Sequence, residues 1–492
     1  MVQGTGSHVG KSVLCAALCR LLRDMGLRVA PFKAQNMALN SAVTPEGGEI
    51  GRAQAHQAEA AGVAPTTDMN PILLKPTGDR AAQVIIHGRV HAVMSAAEYH
   101  AFKKEAARFV LESYNRLASG YDIIVIEGAG SPAEINLREN DLANMGVAEM
   151  TGSPVVLTGD IDRGGVFAAL AGTMELLSAS ERERVKGFII NKFRGDIALL
   201  KPGLDFLTNR TGVPVLGVVP YMRDLCLPDE DGVSLDSSAL IKARSGVVRI
   251  AVIRLPRISN FTDFDPFKLE PDVELVFVDE AAQLDKADCV IIPGSKNTIE
   301  DLCWLKDKGF DRRLKQLRNR GVMIIGLCGG FQMLGKAVKD PHGVESGLGN
   351  ANGLGLLNVE TTLTKGKKTH QVEGLACLYG NSHAVAGYEI HMGETNGSEA
   401  HFSMITRKGG ASADVPEGAI SDDKAVWGTY IHGVFDADGF RTAFLDGLRE
   451  KKGLAPALAG RPFAEAREAS IAAFARQVGE SLDMGKIMGI IG

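Results

Sequence analysis

The sequence predicts an α/β protein built from two parallel-sheet domains, and three observations carry that reading. Short, near-continuous apolar runs rich in β-branched residues alternate with longer helical stretches along almost the whole chain, the pattern of strands covered by helices on both faces. Two glycine-rich turns, Gly4–Ser12 and Gly326–Gly335, each follow an apolar strand and open a helix, as strand-to-helix turns in such sheets do. The 492 residues exceed what a single core fills.

The elements follow in order. A first series of strands is expected at 28–32, 122–127, 154–158, 187–191 and 215–219, and a second at 249–254, 274–278, 289–293 and 322–327. Between the two series, residues 224–245 are polar, acidic and rich in turn formers, which marks a linker. The expected division is therefore 1–224, a linker at 225–248, a second domain at 249–446, and a C-terminal extension at 447–492. In that extension, 461–492 reads as an amphipathic helix with a loose tail.

Bulk composition bounds the partners. Hydrophobic residues make up 45% and charged residues 23%, values of a soluble globular chain. The net charge of −5 gives no basic footprint for nucleic acid. No apolar run is long enough to span a bilayer, and Met1 leads straight into a short strand and the glycine loop without a signal peptide. The seven cysteines are scattered and form no CxxC pair. A cytoplasmic enzyme with free thiols and small-molecule substrates is expected. The oligomeric state is not legible.

In the first turn, Gly4, Thr5, Gly6 and Gly10 let backbone N–H groups converge on phosphate oxygens at a helix start. Lys11 is placed to neutralise the outer phosphates of ATP, and the Ser12 hydroxyl to meet Mg²⁺. Glu127 ends the run DIIVI, where an acid is costly unless something pairs with it. A carboxylate at a strand's carboxyl end suits a hard cation.

In the second turn, Cys328 ends an apolar strand between Gly326, Gly329 and Gly330, small residues that permit the strained elbow projecting a nucleophile. His432, after a short strand, is the candidate base that takes the thiol proton and returns it to departing ammonia. Backbone N–H groups of Gly329 and of the turn at Gly294 are candidates for the oxyanion hole, where one lost donor costs ~3 kcal/mol of barrier.

Five residues rather than four separate Gly4 from Gly10, and this longer loop resembles that of dethiobiotin synthetase and its relatives, which activate carboxylates with ATP. The resemblance covers the first ~220 residues, about one domain. It implies a lysine near the phosphates at Lys33, acidic Mg²⁺ ligands at Glu49 and Glu127, and an adenine-recognising asparagine at Asn191. The later segments PGSKNT, GLCGGFQMLG and YIHGVF, in that order, resemble the class I glutamine amidotransferases. That class carries a glutamate two residues beyond its histidine, where this chain has Val434. The orienting carboxylate is therefore absent or comes from elsewhere, with Glu389 and Asp436 as unranked candidates, and a Cys–His dyad is the other possibility. His391 is a candidate wall of the glutamine pocket or a purely structural residue.

Both resemblances in one chain point to the cobyrinic-acid amidotransferase family. The stretches FKAQNMALNS, NPILLKP, GDIDRGGVFA and NKFRGD resemble the branch that amidates four peripheral carboxylates (b, d, e and g) of adenosylcobyrinic acid a,c-diamide. The fold this implies is an N-terminal P-loop domain of dethiobiotin-synthetase type followed by a class I glutamine amidotransferase domain. The partners it implies are ATP with Mg²⁺, glutamine and the corrinoid diamide. Asn36, Asn40, Arg163 and Arg194 are candidate substrate contacts, since amides and guanidinium groups suit carboxylates and carboxamides. Asp160 and Asp162 are candidates for Mg²⁺ or for substrate, with the two roles unassigned. Two alternatives stay open: a nucleotide-switched assembly ATPase with a degenerate cysteine domain, and an amidoligase for another polyacid.

Overall fold

The computed structural model describes residues 1–78, 81–222, 246–397, 399–456 and 460–492. The expected linker at 225–248 lies almost wholly outside the described residues. Cys226 lies outside them too.

All nine expected strands form. In the first half, Val2–Gly4, Val155–Asp160, Val185–Phe193 and Val215–Pro220 make a parallel sheet. The parallel pair Val29–Phe32 and Ile123–Ile126 joins its edge through a bridge between Val2 and Glu127. The glycine loop leaves Val2–Gly4 and enters the helix Lys11–Asp24. The carboxyl ends of the neighbouring strands thereby surround it, the usual ligand edge of an open α/β sheet. A second, mostly antiparallel sheet of Gln35–Met37, Ile72–Pro76, Ala81–Ile86 and Arg89–Ser95 packs beside this core.

In the second half, the strands run in the order Val273–Val278, Val248–Ile253, Cys289–Ile292, Met323–Leu327, Val426–Thr429 and Ala419–Ile420. All neighbours are parallel except the last pair. Cys289, Val290, Ile291, Ile292, Ile324 and Ile325 are fully buried, which explains why this sheet reads as unbroken apolar runs rather than as alternation.

Two features depart from expectation. Residues 359–417 form a long antiparallel system, with Val359–Leu378 paired to Asn381–Gly397 and Ser403–Lys408 paired to Ala411–Glu417. The middle of the longest hairpin reaches back to the first half, where Thr369 Oγ1 donates to Gly47 O at 2.6 Å and Gln371 Nε2 donates to Val43 O. The C-terminal tail is not loose. Helices Phe463–Ser481 and Met484–Ile491 return to the first half, where Ile471, Phe474, Val478 and Ile487 share a core with Leu14, Leu18 and Leu22. No helix among the described residues is long and apolar enough to cross a membrane.

Candidate active site

Cys328 stands between the strand Met323–Leu327 and the helix Gly329–Leu334 at φ 51°, ψ −108°, a backbone that a side chain tolerates only when its surroundings enforce it. The enforcement is visible. Cys328 N–H donates to Thr429 O at 2.8 Å. A Cβ added at Gly330 would lie 2.0 Å from Ile292 O, and one at Gly329 would lie 2.9 Å from Ser295 N. The glycines after the cysteine therefore let the elbow close against the segment 292–295. Gly294 and Ser295 pair in turn with Ser259 and Ile258, which draws the next stretch, Phe261–Leu269, over the site.

That stretch supplies the residue that sequence reasoning missed. Asp263 Oδ2 lies 2.7 Å from His432 Nδ1, and Asp263 Oδ1 accepts from Gly433 N–H at 3.1 Å. Both side chains are buried. Burial alone would push the imidazolium down, but Asp263 and a hydrogen bond with Cys328 outweigh it and raise His432 to about 10. With Nδ1 turned to the carboxylate, Nε2 is the nitrogen left for the thiol. The ring stacks on Tyr388 at a centroid distance of 5.3 Å.

Neither expected carboxylate takes this place. Glu389 pairs with Lys408. Asp436 is half-buried and pushed up to about 6, chiefly by desolvation. His391 stacks on Tyr430 at 3.7 Å, bonds Gly393 O at 2.8 Å, and is driven down to about 3 by burial, so it is a neutral wall of the thiol pocket. A signal for Asp263 was present: an acid inside NFTDFDPF, between buried Phe261, Phe264 and Phe267, is costly without a partner, by the reasoning applied to Glu127.

At the glycine loop, Lys11 Nζ folds over the turn to Gly6 O at 2.8 Å and Gly130 O at 3.1 Å. Thr5 N–H donates to Thr158 O at 3.0 Å. Gly10 adopts φ 98°, and a Cβ there would meet Asn191 Nδ2 at 2.2 Å. Asn191 Nδ2 donates to Val9 O at 2.8 Å, so the residue expected at adenine also braces the loop. Glu127 is the hub. Its Oε1 accepts from Ser12 Oγ and Lys33 Nζ, each at 2.8 Å, and its Oε2 from Gln57 Nε2 at 2.6 Å and Gln54 Nε2 at 3.3 Å. A hydroxyl and a carboxylate this close, facing a phosphate loop, are the oxygen donors that Mg²⁺ takes alongside phosphates and water.

The structure separates Glu49 from that group. Its two carboxylate oxygens are occupied by Lys75 Nζ, at 2.7 Å, and by Lys367 of the long hairpin. Burial opposes its charge, yet Lys367 and Lys75 hold the carboxyl far below the usual range. Glu49, expected as a metal ligand, thus sits on two lysines rather than beside Ser12 and Glu127.

The four candidate substrate contacts fall into two groups. Asn36 is buried and donates to Gln54 Oε1 at 3.0 Å, one step from Glu127. Asn40 is buried between the halves, its Oδ1 accepting from Phe261 N–H at 3.2 Å. Arg163 is exposed near Asp160, and Arg194 pairs with Asp162 at 2.9 Å while lying 3.6 Å over the Tyr221 ring. Asp160 is bound by Lys192 Nζ at 2.8 Å, so both acids at this strand end are paired with cations.

Comparison with known proteins agrees with this two-centre layout. Residues 1–235 match the CobQ/CobB/MinD/ParA nucleotide binding domain, and residues 249–440 match the CobB/CobQ-like glutamine amidotransferase domain. A cobyric acid synthase of Thermoanaerobacter sp. (strain X514) is 50% identical over 502 residues, covering 100% of this chain and 98% of its own. Those of Klebsiella pneumoniae (strain 342) and Yersinia enterocolitica are 50% and 51% identical, each over 97% of its own length and over 100% and 99% of this chain. A nucleotide-binding centre and a thiol centre, held in one chain with this likeness from end to end, place the protein in the cobyric acid synthase family.

Proposed function

We propose that this chain uses ATP and glutamine to convert the four peripheral carboxylates of adenosylcobyrinic acid a,c-diamide to carboxamides, giving adenosylcobyric acid in cobalamin synthesis. The observation that carries the reading is the Cys328–His432–Asp263 line-up in the same molecule as a glycine loop whose Lys11 folds over the turn and whose Ser12 meets Glu127. The alternative of a degenerate cysteine domain drew on the missing post-histidine carboxylate, and Asp263 fills that role from another segment.

The chemistry divides between the centres. A carboxylate resists ammonia because oxide is a poor leaving group, so ATP phosphorylates it to an acyl phosphate. Lys11 and Lys33 spread the charge of the transferring phosphoryl group. Ser12 and Glu127 would hold Mg²⁺, which when bound supplies further charge neutralisation on the phosphates. At the second centre, His432 holds the Cys328 proton as imidazolium, and the thiolate attacks the glutamine carboxamide carbon. N–H groups at Gly329 and near Gly294 receive the developing oxyanion. The imidazolium, oriented by Asp263 at Nδ1, returns the proton from Nε2 to the departing nitrogen, and water then releases glutamate. Ammonia is nucleophilic only unprotonated, so it travels between the centres without meeting bulk water.

Incubation of the purified protein with ATP, Mg²⁺, glutamine and the corrinoid diamide, followed by mass spectrometry, tests this. Stepwise exchange of hydroxyl for amino groups on the corrinoid is expected, with one glutamate formed per exchange. Glutamine hydrolysis without any corrinoid product would overturn the assignment.

A further inference from the structure

The cavity holding Cys328 and His432 has a wall that belongs to neither centre. Lys75, from the first half, and Lys367, from the hairpin of the second, line it together with Lys296. Lys75 and Lys367 meet on one carboxylate, Glu49. All four groups are buried or nearly so. Lys75 Nζ also donates to Ser41 Oγ at 2.9 Å. On the other side of Glu49 the same short strand, Glu49–Gly51, leads to the phosphate centre. A Cβ at Gly51 would lie 2.4 Å from Asn36 Nδ2 and 2.6 Å from Gln54 Oε1, and Gln54 donates to Glu127. From thiol to glycine loop the order is therefore the shared cavity, then Lys75 and Lys367 on Glu49, then the strand to Gly51, then Gln54 and Glu127.

We infer that Glu49, Lys75 and Lys367 form the partition that ammonia crosses between the two centres, and that the ion pair spanning the halves keeps this crossing closed to water and to ammonium. The inference rests on the amidoligase reading above and adds residues that reading does not use. Its physics is charge selection. Three lysines, Lys75, Lys296 and Lys367, face two carboxylates at the crossing, Glu49 between Lys75 and Lys367 and Glu345 near Lys296. Surplus positive charge in a dry passage repels a cation and leaves neutral ammonia unhindered. Because Lys367 and Glu49 sit on different halves, the crossing exists only while the halves are docked.

The test is the coupling ratio, glutamine hydrolysed per carboxamide formed, measured on the full chain with ATP, Mg²⁺ and the corrinoid diamide. Amidation driven by ammonium chloride is followed in parallel, and released ammonia is trapped enzymatically. Lys367→Met is expected to raise the ratio at least about threefold while leaving ammonium-driven amidation within about twofold of wild type. Lys75 still neutralises Glu49 in that variant. Should Lys367→Met fail to fold, Lys367→Gln keeps a hydrogen-bond donor for Glu49 and is expected to leak likewise, whereas Lys367→Arg restores tight coupling. An unchanged ratio in Lys367→Met or Lys367→Gln would overturn the inference. So would a raised glutamine KM with the ratio unchanged, which would make the cluster part of the glutamine pocket. Absence of ammonium-driven amidation in the wild type would instead refute the amidoligase reading itself.

Discussion

Replacing Asp263 by asparagine isolates the contribution of the carboxylate behind His432. The substitution keeps shape, and the new Oδ1 still accepts from Gly433 N–H. The amide nitrogen, however, faces His432 Nδ1 as a donor, where the carboxylate accepted at 2.7 Å. Nδ1 must then be the acceptor, the ring proton moves to Nε2, and the nitrogen facing Cys328 can no longer take the thiol proton. Asp263 also favours the imidazolium, since it raises His432 against the burial that opposes the charge. Loss of that support together with the wrong tautomer predicts a fall of ~10²–10³-fold in the kcat of glutamine hydrolysis. Ammonium-driven amidation should stay at the wild-type rate. Folding gives a second readout. A histidine whose pKa is raised on folding contributes stability that is complete below about 6.5 and is lost as pH climbs through about 10. Denaturation midpoints of the wild type should fall across that window, and those of Asp263→Asn should fall much less. Glutamine hydrolysis within about threefold of wild type in a folded Asp263→Asn protein would refute the role given to the carboxylate.

Other outcomes follow from the same geometry. Cys328→Ala should abolish glutamine-dependent product and spare synthesis from ammonium, with both rates followed by corrinoid mass. Lys11→Ala should stop synthesis from either nitrogen donor, by about 10²-fold or more, while glutamine hydrolysis survives. Gly330→Ala would put a methyl 2.0 Å from Ile292 O; a loss of about 2–3 kcal/mol in denaturant unfolding is expected, together with loss of glutaminase as the elbow is forced open.

Much of this arrangement was legible because it rests on local chemistry. The strands 289–293 and 322–327 announce themselves as unbroken apolar runs, and the two glycine turns carry their functions in consecutive residues. The hairpins of 359–417 were not, because their strands are half exposed. Val359–Leu378 mixes lysines, threonines and glutamates with only a few buried positions, so neither period stands out. Asp263 and Glu49 escaped for a different reason. Each acquires its partner across long separations in the chain, 169 residues to His432 and 318 to Lys367. What sequence offers at such positions is a charge in an apolar setting. That predicts a partner without naming it, and for Glu49 the family resemblance suggested a cation where the structure holds two lysines.

The return of the last two helices onto the first has a cost in modularity. Leu14, Leu18 and Leu22 of Lys11–Asp24 share their core with Ile471, Phe474 and Val478, a Cβ at Gly479 would meet Leu21 at 2.9 Å, and Asp483 N–H donates to Leu216 O at 2.8 Å. A ribosome therefore finishes the nucleotide-binding unit last, although it began it first, and nascent chains stand with that helix uncovered until the amidotransferase half has been made. Severing the gene between its two halves would yield a leading fragment prone to aggregate, whereas supplying the terminal helices as a separate peptide should rescue it.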